Sequence, residues 1–382
     1  MAKTESYLLK RTFSISEEME KTIEVILKEK FGLALNDHKK IADCILKLSD
    51  HFNQKNPGPT PWKQDWCKIA YLTYYSPLNE LRLLSVLQEC QRVGFFAKEE
   101  TILDFGSGLG SSGNALAQLL SLKKDFQFKL RLLEFEPNDL ARGYLQEIRA
   151  AQARQVDHAK LVNLGYSTST VTAADIEKLA QGPHRPTTLI LSYSLVESHQ
   201  LPALAESVDR LIILEPSTGD RGRKLMELRA QWLKKGYRAW APCTHQEACP
   251  LLVHSQRDWC HDRIHFNRPA WFAGIEKYLP MKNATLTFSY LALGKLPKED
   301  SEAAAPYQNR ARVVGDLMPE KGKDRQLICR DSERVFLTWM HRDWESQPSR
   351  VEIPRGSLIE APDVDQKSDE LRVRSPVQII SE

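Results

Sequence analysis

The chain has 382 residues, 42% of them apolar, and a net charge of +3, with seven cysteines and ten histidines. That length suits two domains, or one large domain with additions, and the near-neutral charge makes no whole-chain case for binding a polyanion. No run approaches the ~18 apolar residues of a membrane span, and an odd number of cysteines without a secretory leader argues against a disulfide framework. The opening stretch "MAKTESYLLKRTFSISEEMEKTIEV" lacks an apolar leader core and carries Glu5, Glu17, Glu18 and Glu20, so a cytoplasmic protein is expected.

Residues 1–98 read as a helical region. "SEEMEKTIEVILKEKFG", with Ser16 as a plausible N-cap, and "HKKIADCILKLSDHF" carry apolar residues at helical spacing. The Pro/Gly/Asn stretch "HFNQKNPGPTPWKQ" breaks the pattern, and "NELRLLSVLQECQRVGFF" resumes it. Cys44, Cys67 and Cys90 read as ordinary core thiols. Residues 99–295 change grammar. "TILDFG", "FKLRLLEFE", "TTLILSYSLVE" and "RLIILEP" alternate with helical patterns, which predicts an α/β fold with a largely parallel, doubly wound sheet. "NATLTFSYLALGK" alternates with period two and reads as its last strand. Residues 296–382 begin with a polar linker and continue with strand-like pieces, a small β appendage. Its last segment, "DVDQKSDELRVRSPVQIISE", is expected to be loosely ordered.

"TILDFGSGLGSSGNALAQLL" runs from an apolar strand through Gly106, Gly108, Gly110 and Gly113 into a helix. Glycines there let the backbone turn sharply at the carboxyl edge of the sheet, where open α/β folds bind cofactors. The spacing of Gly108, Gly110 and Gly113 also satisfies the dinucleotide pattern, which keeps an NAD-dependent oxidoreductase open as a check. Asp104 weighs against a pyrophosphate and suits a cationic cofactor. The stretch resembles the first motif of class I S-adenosylmethionine methyltransferases. That resemblance implies S-adenosyl-L-methionine held by Asp104, Gly106, Gly108 and Gly110, with Glu134 on the ribose hydroxyls and Asp175 at the adenine edge. Tyr193 and Glu197 follow the fourth strand, on the substrate-facing side. No catalytic residue is singled out, since methyl transfer from a sulfonium depends mainly on positioning.

The segment 241–266 holds Cys243, Cys249 and Cys260, separated by five and ten residues, with His245, His254 and His261 nearby. The gaps match neither zinc-knuckle pairs nor ferredoxin runs. Zinc with three thiolates and a histidine is the simplest reading of the spacing, and unrelated buried thiols the alternative. Cys243 comes too late in the chain to be the nucleophile of RNA 5-methylcytosine methyltransferases.

Taken in order, "LILSYSLVES", "RLIILEPSTGDRGRKLMELRAQWL", "APCTHQEACPL", "DWCH" and "TFSYLALGK" resemble the methyltransferase-like proteins associated with the small ribosomal subunit. These are best known from mitochondria and have bacterial relatives, and the likeness runs from about residue 68 to residue 340. It implies a 4Fe-4S cluster on Cys243, Cys249, Cys260 and Cys329, the last in "RQLICRDSERVF". The cluster would tie the insertion to the C-terminal extension. The resemblance also implies a partner in the small ribosomal subunit or its rRNA, and the mitochondrial matrix as the location in a eukaryote. The chain is expected to act as a monomer, either as a methyltransferase or as a non-catalytic assembly factor that grips rRNA. Thr244, "EPSTGD" and Asp262 depart from the family's usual residues but remove no proposed thiolate. Arg221, Arg223, Lys224, Arg229, Lys234, Lys235 and Arg238 gather on or near one helix and are candidates for phosphate contact.

Overall fold

Apolar runs covered on both faces become parallel strands, so "TLILS" and "RLIILE" are buried almost throughout. The computed structural model describes residues 11–55, 58–122, 129–154, 166–180, 185–195, 200–295, 310–346, 352–361, 363–367 and 370–380. Nine strands form the principal sheet: β1 (Thr12–Phe13), β2 (Glu99–Phe105), β3 (Lys129–Phe135), β4 (Tyr166–Val171), β5 (Thr188–Ser192), β6 (Arg210–Glu215), β7 (Arg238–Ala241), β8 (Asp262–Phe266) and β9 (Thr285–Gly294). Their order is β1-β8-β9-β6-β5-β2-β3-β4, with β7 also paired to β9.

Strands β2 to β6 run parallel. β9, the last of the sheet in sequence, inserts antiparallel between β6 and β8. This is the class I methyltransferase arrangement. The chain leaves β2 for β3 and β4 on one side, then crosses back to β5 and β6 on the other. A crevice opens at the carboxyl end of β2, where the connections diverge.

One face of the sheet is covered by the helices Glu17–Phe31, His38–Phe52, Ser76–Arg92 and Ser111–Leu122. Ile23, Leu27, Ile45, Leu81 and Leu84 share a continuous core with Ile102, Leu132, Ile190 and Phe288 of the strands. The N-terminal helices therefore belong to the body of the protein. Cys67 and Cys90 are fully buried there, and Cys44 is half-buried. The opposite face packs Leu103, Leu133, Leu189 and Ile213 against Leu225 and Trp232 of the helix Gly219–Lys234.

The C-terminal appendage is a second sheet of β10 (Arg310–Glu320), β11 (Lys323–Arg330), β12 (Glu333–Met340), β13 (Leu358–Glu360), β14 (Val364–Gln366), β15 (Glu370–Val373) and β16 (Gln378–Ile379). The end of the chain, expected to be loose, thus supplies three of these strands. Leu371 and Val373 explain the difference, because they fill a separate core with Val313, Ile328 and Leu337. The appendage is fixed to the body by Arg312, which is 2.5 Å from Glu89 and donates to the Pro242 carbonyl at 2.9 Å, while its other contact, to the Gly356 carbonyl, stays within the appendage. Arg11 adds an ion pair to Asp262 at 2.6 Å and donates to the Arg355 carbonyl.

Candidate functional site: a cofactor crevice and a four-thiol cavity

The glycine loop starts where β2 ends. The backbone N–H groups of Gly106 and Ser107 donate to the Phe135 carbonyl at 2.8 and 3.0 Å, which pins the loop to β3. Gly106, Gly108 and Gly110 have φ of +82°, +53° and +79°, a region that side chains with a Cβ disfavour. Beside the loop lies a cavity of about 320 Å³, lined by Asp104, Gly106 and Gly108, by Glu136 and Pro137 after β3, and by Ser192, Tyr193 and Ser194 after β5.

Asp104 is 1% exposed, and neither carboxylate oxygen has a hydrogen-bond partner of normal geometry among the described residues. Burial and the nearby Glu134 push its pKa up to about 8, against an opposing contact from Ser112. A buried carboxyl at the rim of a cavity, short of partners, fits a cationic ligand.

Glu134 pairs across the β2–β3 ladder with Asp104 but does not line the cavity. Arg149 donates to it from Nε at 2.9 Å and pairs with it again through Nη2, while Thr168 donates at 2.9 Å. Glu134, expected on a ribose, lies inside the strand with its oxygens engaged by Arg149 and Thr168. Glu136, just beyond the strand end, lines the cavity instead. Its Oε2 accepts from Gly108 N and its Oε1 from Asn138 N, both at 2.9 Å. The signal was in the sequence as "EFEPN", whose second acid stands at the turn.

Gly110 also lies outside the lining. A Cβ there would meet Arg149 and Leu145, so this glycine gives room to the buried Arg149–Glu134 pair. Asp175 is exposed in the first turn of the helix Ala173–Ala180. It accepts from Thr172 N at 2.9 Å and Thr172 Oγ1 at 2.7 Å, contacts that hold its pKa below the usual range. It is a helix-start residue, away from the cavity. Tyr193 has φ of +60° with Arg82 over its ring at 5.9 Å. Backbone outliers of this kind gather at functional sites. Glu197 lies outside the described residues.

The second site is a cavity of about 50 Å³ lined by Cys243, Cys249, Cys260 and Cys329 together. Three come from the segment between β7 and β8, the fourth from β11. Thr244 Oγ1 donates to the Cys329 carbonyl at 3.3 Å, and Ser289 Oγ to that of Cys260 at 2.8 Å. Burial and the neighbouring thiols push Cys329 up to about 12 and raise Cys249 and Cys260 as well. His245 Nε2 lies 3.7 Å from Cys329 Sγ. Among the described residues, no group of three or more His, Cys, Asp or Glu is arranged to hold a metal ion. The thiols share a cavity without closing on one point, which shows neither a zinc site nor a four-iron cluster.

The basic helix differs from its expected role. Arg229 is buried and donates to the carbonyls of His245 and Glu247 at 2.6 and 2.8 Å. Arg223 donates to those of Ser255 and Asp258 at 3.0 and 2.9 Å. Both hold the cysteine segment in place. Lys224 and Lys234 are exposed; Lys235, also exposed, pairs with Glu206.

Against known proteins, the family model described as mitochondrial small ribosomal subunit Rsm22 matches residues 68–338, which takes in the glycine loop and all four thiols. The chain belongs to this family. A search of curated proteins finds no match. Solved structures that resemble this Rsm22-family chain include M. jannaschii TYW2 in complex with AdoMet, at 14% identity, 56% of this chain, 77% of that chain and TM-score 0.28. A candidate RNA methyltransferase from Pyrococcus horikoshii follows at 14% identity, 67% and 98% coverage and TM-score 0.31. An rRNA methylase from Streptococcus thermophilus has 13% identity, 55% and 95% coverage and TM-score 0.28. The fold itself rests on strand order and register. No helix among the described residues is long and apolar enough to cross a membrane.

Proposed function

We propose that the chain binds S-adenosyl-L-methionine in the crevice and acts on the small ribosomal subunit as a methyltransferase of its rRNA or of a protein bound to it. The observation that carries this reading is the cavity at the carboxyl end of β2, where Asp104 and Glu136 face glycine backbone at positive φ. In this reading Asp104 takes the cationic methionine end and Glu136 the ribose diol. Gly106 and Gly108 let the backbone approach. The family's name supports the small subunit as partner, and the place of action is then the mitochondrial matrix in a eukaryote or the cytoplasm in a bacterium.

The four thiols would hold a 4Fe-4S cluster. The donor set is four thiols, the usual ligand set of a four-iron cluster, and it surrounds a shared void. Bound there, the cluster would supply a covalent tie between the segment after β7 and the hairpin β10–β11. Buried thiols with raised pKa must give up their protons to bind it.

Calorimetric titration with S-adenosylmethionine tests the crevice, and transfer of a labelled methyl group to immature small subunits tests activity. Binding that is abolished in Gly106→Arg, with label incorporated by the wild type alone, is expected. Subunit binding that survives this substitution without any transfer would leave a non-catalytic assembly factor. Iron and sulfide content after anaerobic purification, beside Cys329→Ser, tests the cluster; a colourless wild type free of iron would remove it.

A further inference from the structure

The crevice has a wall that the cofactor reading leaves unused. Trp62 and Tyr71 line the same cavity, with ring centroids 4.5 Å apart and planes inclined by 35°. Both come from the N-terminal region. Tyr71 opens a π-helical turn, Tyr71–Tyr75, set between the α-helices Asp65–Ala70 and Ser76–Arg92. Such turns are rare and recur at functional sites. Farther along the same helical run stands Asn79, whose Oδ1 already accepts from Arg82 at 3.0 Å. Its amide NH₂ remains as a donor within the lining. Tyr193 approaches from β5, the side of β2 opposite Glu136.

Among the described residues lining this cavity there is no lysine, arginine or histidine, whereas Asp104 and Glu136 are there. A phosphate would find hydroxyls and one amide there but no cation to offset Asp104 and Glu136. What the wall suits is a flat, uncharged group with acceptor atoms at its edge. Aromatic side chains stack nucleobases irrespective of sequence, and enzymes that modify a base in a nucleic acid turn it out of its strand into such a pocket. We infer that Trp62, Tyr71 and Asn79 form an acceptor subsite for a nucleobase swung out of single-stranded RNA, its phosphates staying outside. The inference rests on the cofactor reading of the crevice and narrows it from rRNA or protein to RNA.

Saturation-transfer NMR with cytidine, uridine and guanosine, on the full chain with S-adenosylhomocysteine bound, tests it. The nucleosides should take up saturation in the wild type. Tyr71→Leu should weaken this roughly tenfold, the scale of one lost stacking contact, while S-adenosylhomocysteine affinity stays unchanged. Because Tyr71 also packs on Phe52 and Tyr75, Asn79→Ala serves as a second variant that leaves the rings alone; it too should weaken nucleoside binding. Nucleoside binding absent from the wild type, or undiminished in both variants, would overturn the subsite. So would preferential binding of N-acetylated lysine or histidine amide, which would assign the wall to a protein acceptor. Loss of S-adenosylhomocysteine binding in Tyr71→Leu alone would assign the rings to the cofactor. A wild type that fails to bind S-adenosylhomocysteine would sink the cofactor reading first and the subsite with it.

Discussion

Asp104 shows how one buried carboxyl couples a ligand to pH. In an unfolded chain it titrates in the ordinary carboxylate range, but in the fold burial and Glu134 raise it to about 8. Between those values the folded state holds a proton that the unfolded state has lost, so this group makes the protein less stable as pH rises through the window. A cation bound beside it favours the ionised form. Affinity for S-adenosylmethionine should therefore climb as pH rises from about 6 to about 8, with release of a proton. Titration calorimetry in buffers of different ionisation enthalpy measures that release, and Asp104→Asn should abolish both the affinity and its pH dependence. Glu134 serves the fold instead. Glu134→Gln removes a charge that helps raise Asp104, so the rise of cofactor affinity should move to lower pH; it should also cost about 3–5 kcal/mol of stability, read by urea denaturation, because Arg149 would be left buried without its counter-charge. The two glutamates also show what a sequence can hide. Glu134 and Glu136 have the same parity along one run, so alternation gives both the same face, and only the point at which the ladder stops separates the one paired to Arg149 from the one lining the cavity.

At the level of elements, the glycine loop divides into positions that face the ligand and positions that face the packing. Gly108 has open space where a Cβ would be, and Gly110 does not. Gly108→Ala should cost roughly 1–2 kcal/mol for its positive φ alone. Gly110→Ala adds a collision with Arg149 and Leu145 and should lower the melting temperature further, although it lies outside the cavity. The loop is legible in the amino-acid sequence because strand, acid, glycines and helix are contiguous. The β-α alternation is legible for the same reason. The aromatic wall is not, since Trp62 follows a Pro/Gly loop and Tyr71 sits in a helix whose apolar pattern reads as core. Neither is the spending of Arg223 and Arg229 on carbonyls, because a basic helix has the same sequence whether its charges meet solvent or a neighbouring loop. The terminal strands β14–β16 escape for want of length: two to four residues each, they are held by a core that only the assembled sheet provides.

Across the whole molecule, Arg312 and Cys329 lie on neighbouring strands of the appendage and are Cα partners in the β10–β11 ladder. Arg312 is 3% exposed and Glu89 1%, so their pair is fully desolvated. Arg312→Met leaves Glu89 with Arg92 alone, 2.7 Å away, as counter-charge and should cost on the order of 3 kcal/mol, and limited proteolysis should then release the appendage from the body. Conversely, a cluster on all four thiols should slow that release, and Cys329→Ser should restore it. The distance in sequence between the third and fourth thiols also has a consequence for how the protein is made. Translation runs from the N-terminus at ~5–20 residues per second, so Cys260 emerges on the order of ten seconds before Cys329 can fold beside it. During that interval the pocket has three walls. Whatever needs all four sulfurs can be installed only on a finished chain, and a chain that stalls before the hairpin is left with reactive thiols and no place to bury them.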